Sequence, residues 1–388
     1  MKTICYRELK RRFDLDGPKK TTEHLVEALQ NKDLSPEDFS FRDLAEATIS
    51  DGREWVRTLD PRAGDYLMEG EAVDTTSFLN ISGQIILSKI LESYRHESFV
   101  TSKLVDTISS RMAKERIAGI GKIESKSLEI HEGMKYPHAG FGEEYVDTPE
   151  TTKHGLIVPV TREAIFYDQT GLILRRASEV GEILGIDREK RILKMILGIT
   201  NTYNRNGVNY DTYYSSTDAS APWINEISGN SLEDWTNVDT AEQLFTNMLD
   251  PNTQEPILMK SNTILVMPGK RYSAARIFNS SEISWSSASG QRMTSTVNPL
   301  QDYKVLDSAF AYRLLLGENI SAADAKEYWY IGDFKKAFAY IENWPITVTR
   351  SSRFSEADFS QDILIRFKAS ERGTPAVLDP RCVICNKG

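Results

Sequence analysis

The sequence predicts an α+β fold, and three observations predict it. Helical periodicity dominates the first half, with one apolar row at Phe78, Ile81, Ile85, Ile86 and Ile90 and a longer one between Thr170 and Ile199. Apolar or alternating runs bounded by turn residues fill much of the second half, from TILVMPG at residue 263 to the closing CVIC. At 388 residues the chain also exceeds the roughly 250 to 300 that one core supports, so two lobes with extensions are expected.

Residues 1 to about 75 read as a polar, mostly helical extension. Ser35, Pro36 and Asp38 form a helix-start signal, and Phe39, Leu44 and Ile49 can anchor that helix to an apolar surface. The segment looks too charged to own a core, so it should be stable only when laid against a body, its own or a neighbour's. The row from Phe78 to Ile90 then predicts a helix with Lys89, Glu92 and Arg95 on its other side, and a second helical or extended piece runs from Phe99 to about Met112.

From Lys122 to His154 charged and apolar residues alternate, as in Lys126-Ser127-Leu128-Glu129-Ile130-His131, and Pro137, Pro149 and the glycines of HAGFGEEY mark turns. This describes a long two-stranded hairpin with one polar face. Such a ribbon is only marginally stable alone, which predicts packing on another subunit. Ile173, Ala177, Val180 and Leu184 follow at spacings of four, three and four, predicting a helix of about 28 residues, about 40 Å long at 1.5 Å per residue. Residues 200 to about 260 suggest loops around a helix near Thr240 to Met248. Beyond them the pattern predicts a buried strand at TILVMPG, a short helix at RYSAARIFNSS, an apolar strand at VLDSAFAYRLLLG, aromatic-rich strands from Tyr328 to Arg350 and a final pair of strands.

Composition excludes several function classes. Hydrophobic residues make up 40% and charged residues 27%, the balance of a folded soluble protein. No apolar run approaches the roughly 20 residues that span a bilayer, and no apolar segment follows the charged start, so neither secretion nor membrane anchoring is expected. The net charge of -9 counts against tight nucleic-acid binding. Lys2, Arg7, Lys10, Arg11, Arg12, Lys19 and Lys20 are interrupted by Glu8, Asp14 and Asp16 and read as a solvated segment. Three cysteines indicate a reducing compartment. Cys382 and Cys385 resemble half a zinc site, but residues three apart on a strand point to opposite faces, Cys5 is the only other thiol, and His24, His96, His131, His138 and His154 are scattered. Two small buried hydrophobes on a terminal strand fit better, and no metal or other cofactor is expected.

No enzymatic constellation survives inspection. AGIGK has Arg116 and Ile123 where a phosphate loop needs glycine and Ser or Thr, and HEGMK has Lys135 where a zinc-protease helix needs its second histidine. The serine-rich SSEISWSSASG lacks the spacing of a nucleophile elbow, and the adjacent Glu143 and Glu144 would face opposite ways on a strand.

The order of these elements resembles the tailed-bacteriophage major capsid family, whose fold is shared with encapsulin shells. TTKHGLIVPVTREAIFYDQTGLILRRASEVGEILGIDREKRIL looks like the family's passage from extended loop into its spine helix. TILVMPGKRYSAARIFNSSEI is similar to its axial-domain strand and helix, and IGDFKKAFAYIENWPITVTRSS with DILIRFKASERGTPAVLDPRCVI to its closing strands. The resemblance implies an N-terminal arm over residues 1–98, a first part of the peripheral domain over 99–119, an extended hairpin loop over 120–157, the peripheral domain with its spine helix over 158–204, an axial domain over 205–335 and closing strands over 336–388.

What the resemblance implies about function is association, not catalysis: hexamers and pentamers of this chain, forming an icosahedral head around double-stranded DNA that is not bound sequence-specifically. It further implies portal, scaffolding and decoration proteins as partners, assembly in the host cytoplasm and residence in the virion. An apolar stripe including Leu128 and Ile130 is then expected against a neighbouring subunit, with Glu129, Glu132 and Lys135 at the same contact. Some members join a loop lysine to a neighbour's asparagine; Lys126, Lys135 and Lys153 lie in the loop, but no motif identifies a partner. Many members lose an N-terminal region to a protease, whereas the chain starting at Met1 is expected to keep its arm. The competing readings are an encapsulin-type compartment, disfavoured by the long region before Thr76, and an enzyme of unknown type.

Overall fold

The computed structural model describes residues 6–49, 51–59, 74–96, 98–118, 145–218, 221–249, 256–257, 259–286, 293–351 and 363–388. They form an α+β fold in two compact units. The first comprises Met1–Glu97, Lys153–Asp187 and Trp344–Arg372, and the second Ser98–Thr152, Arg188–Asn343 and Gly373–Gly388. Helix Thr170–Ile196 and strands Phe338–Arg350 and Ile363–Val377 supply residues to both.

In the first unit, helices Tyr6–Asp16, Pro18–Gln30, Phe41–Thr48 and Gly52–Thr58 each carry a short apolar row. Leu9 with Phe13, Leu25 with Leu29, and Phe41 with Leu44 and Ala45 sit three or four residues apart, so each set shares one helix face and is buried. They share a core with Phe78, Ile81, Ile85, Ile86 and Ile90 of helix Asp74–Tyr94, all 1% exposed or less. Pro18–Gln30 packs directly on that helix, and Tyr6–Asp16 on Phe41–Thr48. Each buried leucine or phenylalanine contributes about 1.5 to 3 kcal/mol. The expectation that the leading segment has too little interior is therefore corrected for its described residues. Its charges and its apolar rows share the same helices on opposite faces, which a count of charged residues averages away.

Phe39, Leu44 and Ile49 are buried as expected, but the helix starts later than Ser35. Pro36–Asp38 makes a single 3-10 turn, and Ser40 caps the helix by accepting the Asp43 N–H at 3.1 Å. Ser40 also donates to Asp168 Oδ1 at 2.8 Å, Thr170 Oγ1 donates to the same oxygen at 2.9 Å, and Thr170 Oγ1 accepts the Phe41 N–H at 2.8 Å. This network ties the start of Phe41–Thr48 to the start of Thr170–Ile196. The 27-residue span of the latter matches the sequence expectation, with Ile173, Ala177 and Leu184 buried and Val180 packed against the same core.

The second unit is built on a five-stranded sheet in the order Lys304–Asp307, Thr263–Val266, Trp329–Gly332, Val383–Lys387 and Glu226–Ser228. The first and last pairs are parallel and the two inner pairs antiparallel. Alternate residues enter different clusters. Ile264, Val266, Trp329, Ile331 and Ile384 pack with helices Trp235–Thr246 and Arg271–Phe278, whereas Leu265, Tyr330, Val383 and Cys385 pack with helix Ala309–Gly317 and the end of Thr170–Ile196. Both faces are covered, which explains why the central strands read as continuous apolar runs.

One strand expectation is corrected here. VLDSAFAYRLLLG is a strand only as far as Asp307; Ser308 then accepts the Ala311 N–H at 3.3 Å and starts helix Ala309–Gly317, with Ala311 and Leu315 on its buried side. The region read mainly as loops holds strands Tyr203–Arg205 and Val208–Tyr210, joined by Asn206 and Gly207 at φ 51 and 81. Positive φ at both central residues is the two-residue turn that Asn-Gly favours.

Candidate assembly surface

Two described strands flank residues 119–144 and form a stem. Arg116–Ala118 and Tyr145–Asp147 pair antiparallel, with Ile117 opposite Val146, and Tyr145–Asp147 pairs in turn with Tyr203–Arg205. Below the stem, the Thr148 N–H donates to Glu115 O at 2.9 Å, the Glu115 N–H to Thr148 Oγ1 at 2.9 Å, and the Thr151 N–H to Ala113 O at 2.8 Å. The chain is thus zipped on both sides of the segment.

A cation holds the stem from outside. Arg116 Nε donates to Asp147 Oδ1 at 2.9 Å, its guanidinium lies 3.8 Å from the Tyr145 ring centroid, and Lys114 Nζ is 3.9 Å from Asp147 Oδ2. Hydrogen bonding from Arg116 holds the Asp147 carboxyl below the usual carboxylate range. Sequence reading missed this cluster. Its signal was an arginine just before the alternating run and an aspartate near the run's end, where two strands entering and leaving a hairpin must lie side by side.

Leu128, Glu129, Ile130, Glu132 and Lys135, proposed from the sequence as the inter-subunit contact, lie outside the described residues, as do Lys126, the HEGMK motif and Glu143 and Glu144. Lys153 is described: its Nζ is 5.8 Å from the Trp344 ring centroid, and the Arg372 guanidinium lies 5.6 Å from the same centroid. Exposed apolar side chains that can meet a neighbour include Met112, Val208, Tyr272 and Val297 in the second unit, with Tyr272 83% exposed.

Cys382 lies in the turn Pro380–Cys382 and Cys385 on the terminal strand, and both are buried, as the sequence reading expected of two small hydrophobes. Burial raises both thiols, Cys385 to about 12, so they stay protonated at neutral pH. A cavity of about 330 Å³ is lined by Asp211, Tyr213, Glu226, Glu318 and Cys385 among others. Lys387 Nζ neutralises Glu226 at 2.6 Å, and the Tyr213 hydroxyl, pushed well up by burial, donates to Ile196 O at 2.6 Å. Among the described residues no group of His, Cys, Asp and Glu can hold a metal ion, and no helix is long and apolar enough to cross a membrane.

The sequence profile of the phage capsid protein family matches residues 145–386, more than half of the chain. The chain belongs to the phage capsid protein family. It is a structural shell protein of the virion.

No curated protein matches the sequence. The capsid structure is similar to that of an empty GTA particle at 13% identity, with a TM-score of 0.45 over 76% of this chain and 90% of that one. It is similar to the capsid of the cyanophage P-SCSP1u at 15% identity, with a TM-score of 0.40 over 73% and 85% of the two chains. It is also similar to the holo-SrpI encapsulin complex from Synechococcus elongatus PCC 7942 at 10% identity, with a TM-score of 0.39 over 74% and 86%.

Proposed function

We propose that this capsid protein closes into hexamers and pentamers and that these build an icosahedral head around double-stranded DNA. The profile match over residues 145–386 carries the reading. Repeated heterologous contacts close into rings, and obligate contacts of this kind bury about 2,000 to 5,000 Å². The net charge of -9 suits a container that does not grip its nucleic acid, so DNA is held without sequence-specific contacts. Portal, scaffolding and decoration proteins are the further partners, and assembly takes place in the host cytoplasm.

Within this reading, residues 120–157 form the extended loop, with Leu128 and Ile130 against a neighbour and Glu129, Glu132 and Lys135 pairing across the contact. The arm (1–98), the peripheral parts (99–119 and 158–204), the axial domain (205–335) and the closing strands (336–388) complete the assignment. The clamped stem at Arg116–Ala118 and Tyr145–Asp147 supports it, because a stem held this tightly can carry load from a loop engaged elsewhere.

Size-exclusion chromatography and negative-stain electron microscopy of the full chain test the proposal. Rings of five and six or closed shells are expected, and a monomer at every concentration overturns it. DNA-free shells that copurify with a cargo enzyme would replace the DNA head by an enzyme compartment. Removing residues 124–139, which spares the paired strand Tyr145–Asp147, should leave a folded protein that no longer closes shells.

A further inference from the structure

The long helix Thr170–Ile196 presents an unusual outward seam in the first unit. Leu172, Arg176, Glu179 and Ile183 follow one another at spacings of four, three and four, so they form one nearly straight line along the helix. All four are exposed, Leu172 by 42% and Ile183 by 55%. Singly exposed apolar residues need no partner. Here, however, the two apolar residues bracket two opposite charges, and the order reads apolar, positive, negative, apolar.

That order is a palindrome in charge. Laid antiparallel on a copy of itself, the seam places Leu172 opposite Ile183 and Arg176 opposite Glu179, and each pair occurs twice about a two-fold axis. Laid parallel, it places Arg176 on Arg176 and Glu179 on Glu179. The flank repeats the logic: Arg175 and Glu182 lie on the same edge of the seam and are exposed, and an antiparallel pair brings the same edge of both helices together. Arg175 already bonds Glu179 at 3.2 Å within its helix, whereas Arg176 and Glu182 have no ion-pair partner among the described residues.

We propose that this seam is an isologous contact between two copies of the chain, crossing at a two-fold axis midway between Ala177 and Ser178. The inference rests on the shell reading and deepens it. Rings are closed by heterologous contacts, but joining one ring to the next across a shared two-fold needs a self-complementary surface, and this seam is one. At 1.5 Å per residue it is about 16 Å long, which by itself supports only a weak, reversible dimer at high concentration, so in a shell it adds to the other contacts that hold rings together.

The test compares full-length wild type with Arg176→Glu, Glu179→Arg and the double charge swap, by negative-stain electron microscopy and sedimentation velocity. Each single reversal sets like charges face to face and should lower the yield of closed shells at least about tenfold, while free rings persist. The double swap restores the palindrome and should restore closure; because it carries both substitutions, its recovery separates pairing from misfolding. Singles that close shells like the wild type, or a double swap that stays defective, overturn the seam. Should the wild type form neither rings nor shells, the shell reading fails on its own account. Sedimentation then decides the seam: a reversible dimer lost in the singles and regained in the double upholds it, and a monomer at every concentration overturns it.

Discussion

A Cβ added at Gly181 would stand 2.4 Å from the carbonyl oxygen of Ile90, so the two long helices of the first unit meet backbone to backbone at a point that only glycine fits. Ser93 and Ser178 share a hydrogen bond of 2.6 Å beside the crossing. Gly181→Ala must push the helices apart in a core where Ile90 and Ala177 are fully buried. Overpacking of this kind costs about 1 to 3 kcal/mol, and alanine's better helix propensity returns at most about 1 kcal/mol. The variant should therefore unfold at lower denaturant than the wild type; an unchanged or raised urea midpoint would show that the helices part freely.

Glu189 is 2% exposed and caps the helix Thr101–Leu104 from across the second unit's core. Its carboxylate accepts the N–H of Val100 at 2.9 Å, the N–H of Thr101 at 3.3 Å and the Thr101 hydroxyl. Glu189→Ala strands these donors and should cost about 1 to 3 kcal/mol. Burial raises the pKa of this carboxyl, outweighing the bonds that lower it. A raised folded pKa favours the protonated form, so its stabilising share is full below the unfolded pKa and is lost as pH rises through the folded one. Glu189→Gln keeps an acceptor and cannot ionise. Unfolding measured from acid to neutral pH should move in favour of the Gln variant as pH rises, and the opposite trend would contradict the buried charge.

Asp147 gives the opposite sign. Hydrogen bonding from Arg116 lowers its pKa, so the stem contact is present above the usual carboxylate range and is lost as pH falls through the depressed value. Asp147→Asn should speed amide hydrogen exchange in Arg116–Ala118 and Tyr145–Asp147 at neutral pH while leaving the five-stranded sheet protected. Equal protection in both proteins would mean that the strand pairing alone carries the stem.

The parts of this fold that were legible in the sequence are those where one periodicity governs a long stretch. Ile81, Ile85 and Ile90 announce a helix because burial repeats every three to four residues, and TILV announces a central strand because both faces of its sheet are covered. Short elements escaped where a single polar residue redirects the chain. Ser308 turns an apolar run into a helix after Asp307, and Asn206 with Gly207 folds a polar stretch into a hairpin. The leading helices were misjudged because their apolar rows find a partner far along the chain, in Asp74–Tyr94, and no local window contains that partner. The alternating run was read as a hairpin whose proposed contact residues lie outside the described ones, and the clamp of Arg116, Tyr145 and Asp147 escaped that reading because it joins residues 31 apart and depends on strand pairing.

Cys382 and Cys385 provide a chemical probe of the central sheet. Both are 5% exposed or less, and burial raises both thiols, so the thiolate that reacts with an alkylating agent is scarce at pH 8. Cys385 lies on strand Val383–Lys387, paired with both Trp329–Gly332 and Glu226–Ser228, and it is 1% exposed although it lines the cavity described above. In the folded chain, iodoacetamide should leave the peptide carrying both cysteines unlabelled by mass spectrometry, and denaturant should expose both. Gly332 supplies the control: it sits at φ +155, and a Cβ there would stand 2.1 Å from the Cys382 carbonyl oxygen. Gly332→Ala cannot keep the strands in place and should let native-state labelling proceed, because the glycine's missing side chain is what allows the last strand to close over its own thiols. Rapid labelling of the wild type would mean that the sheet opens without this strain.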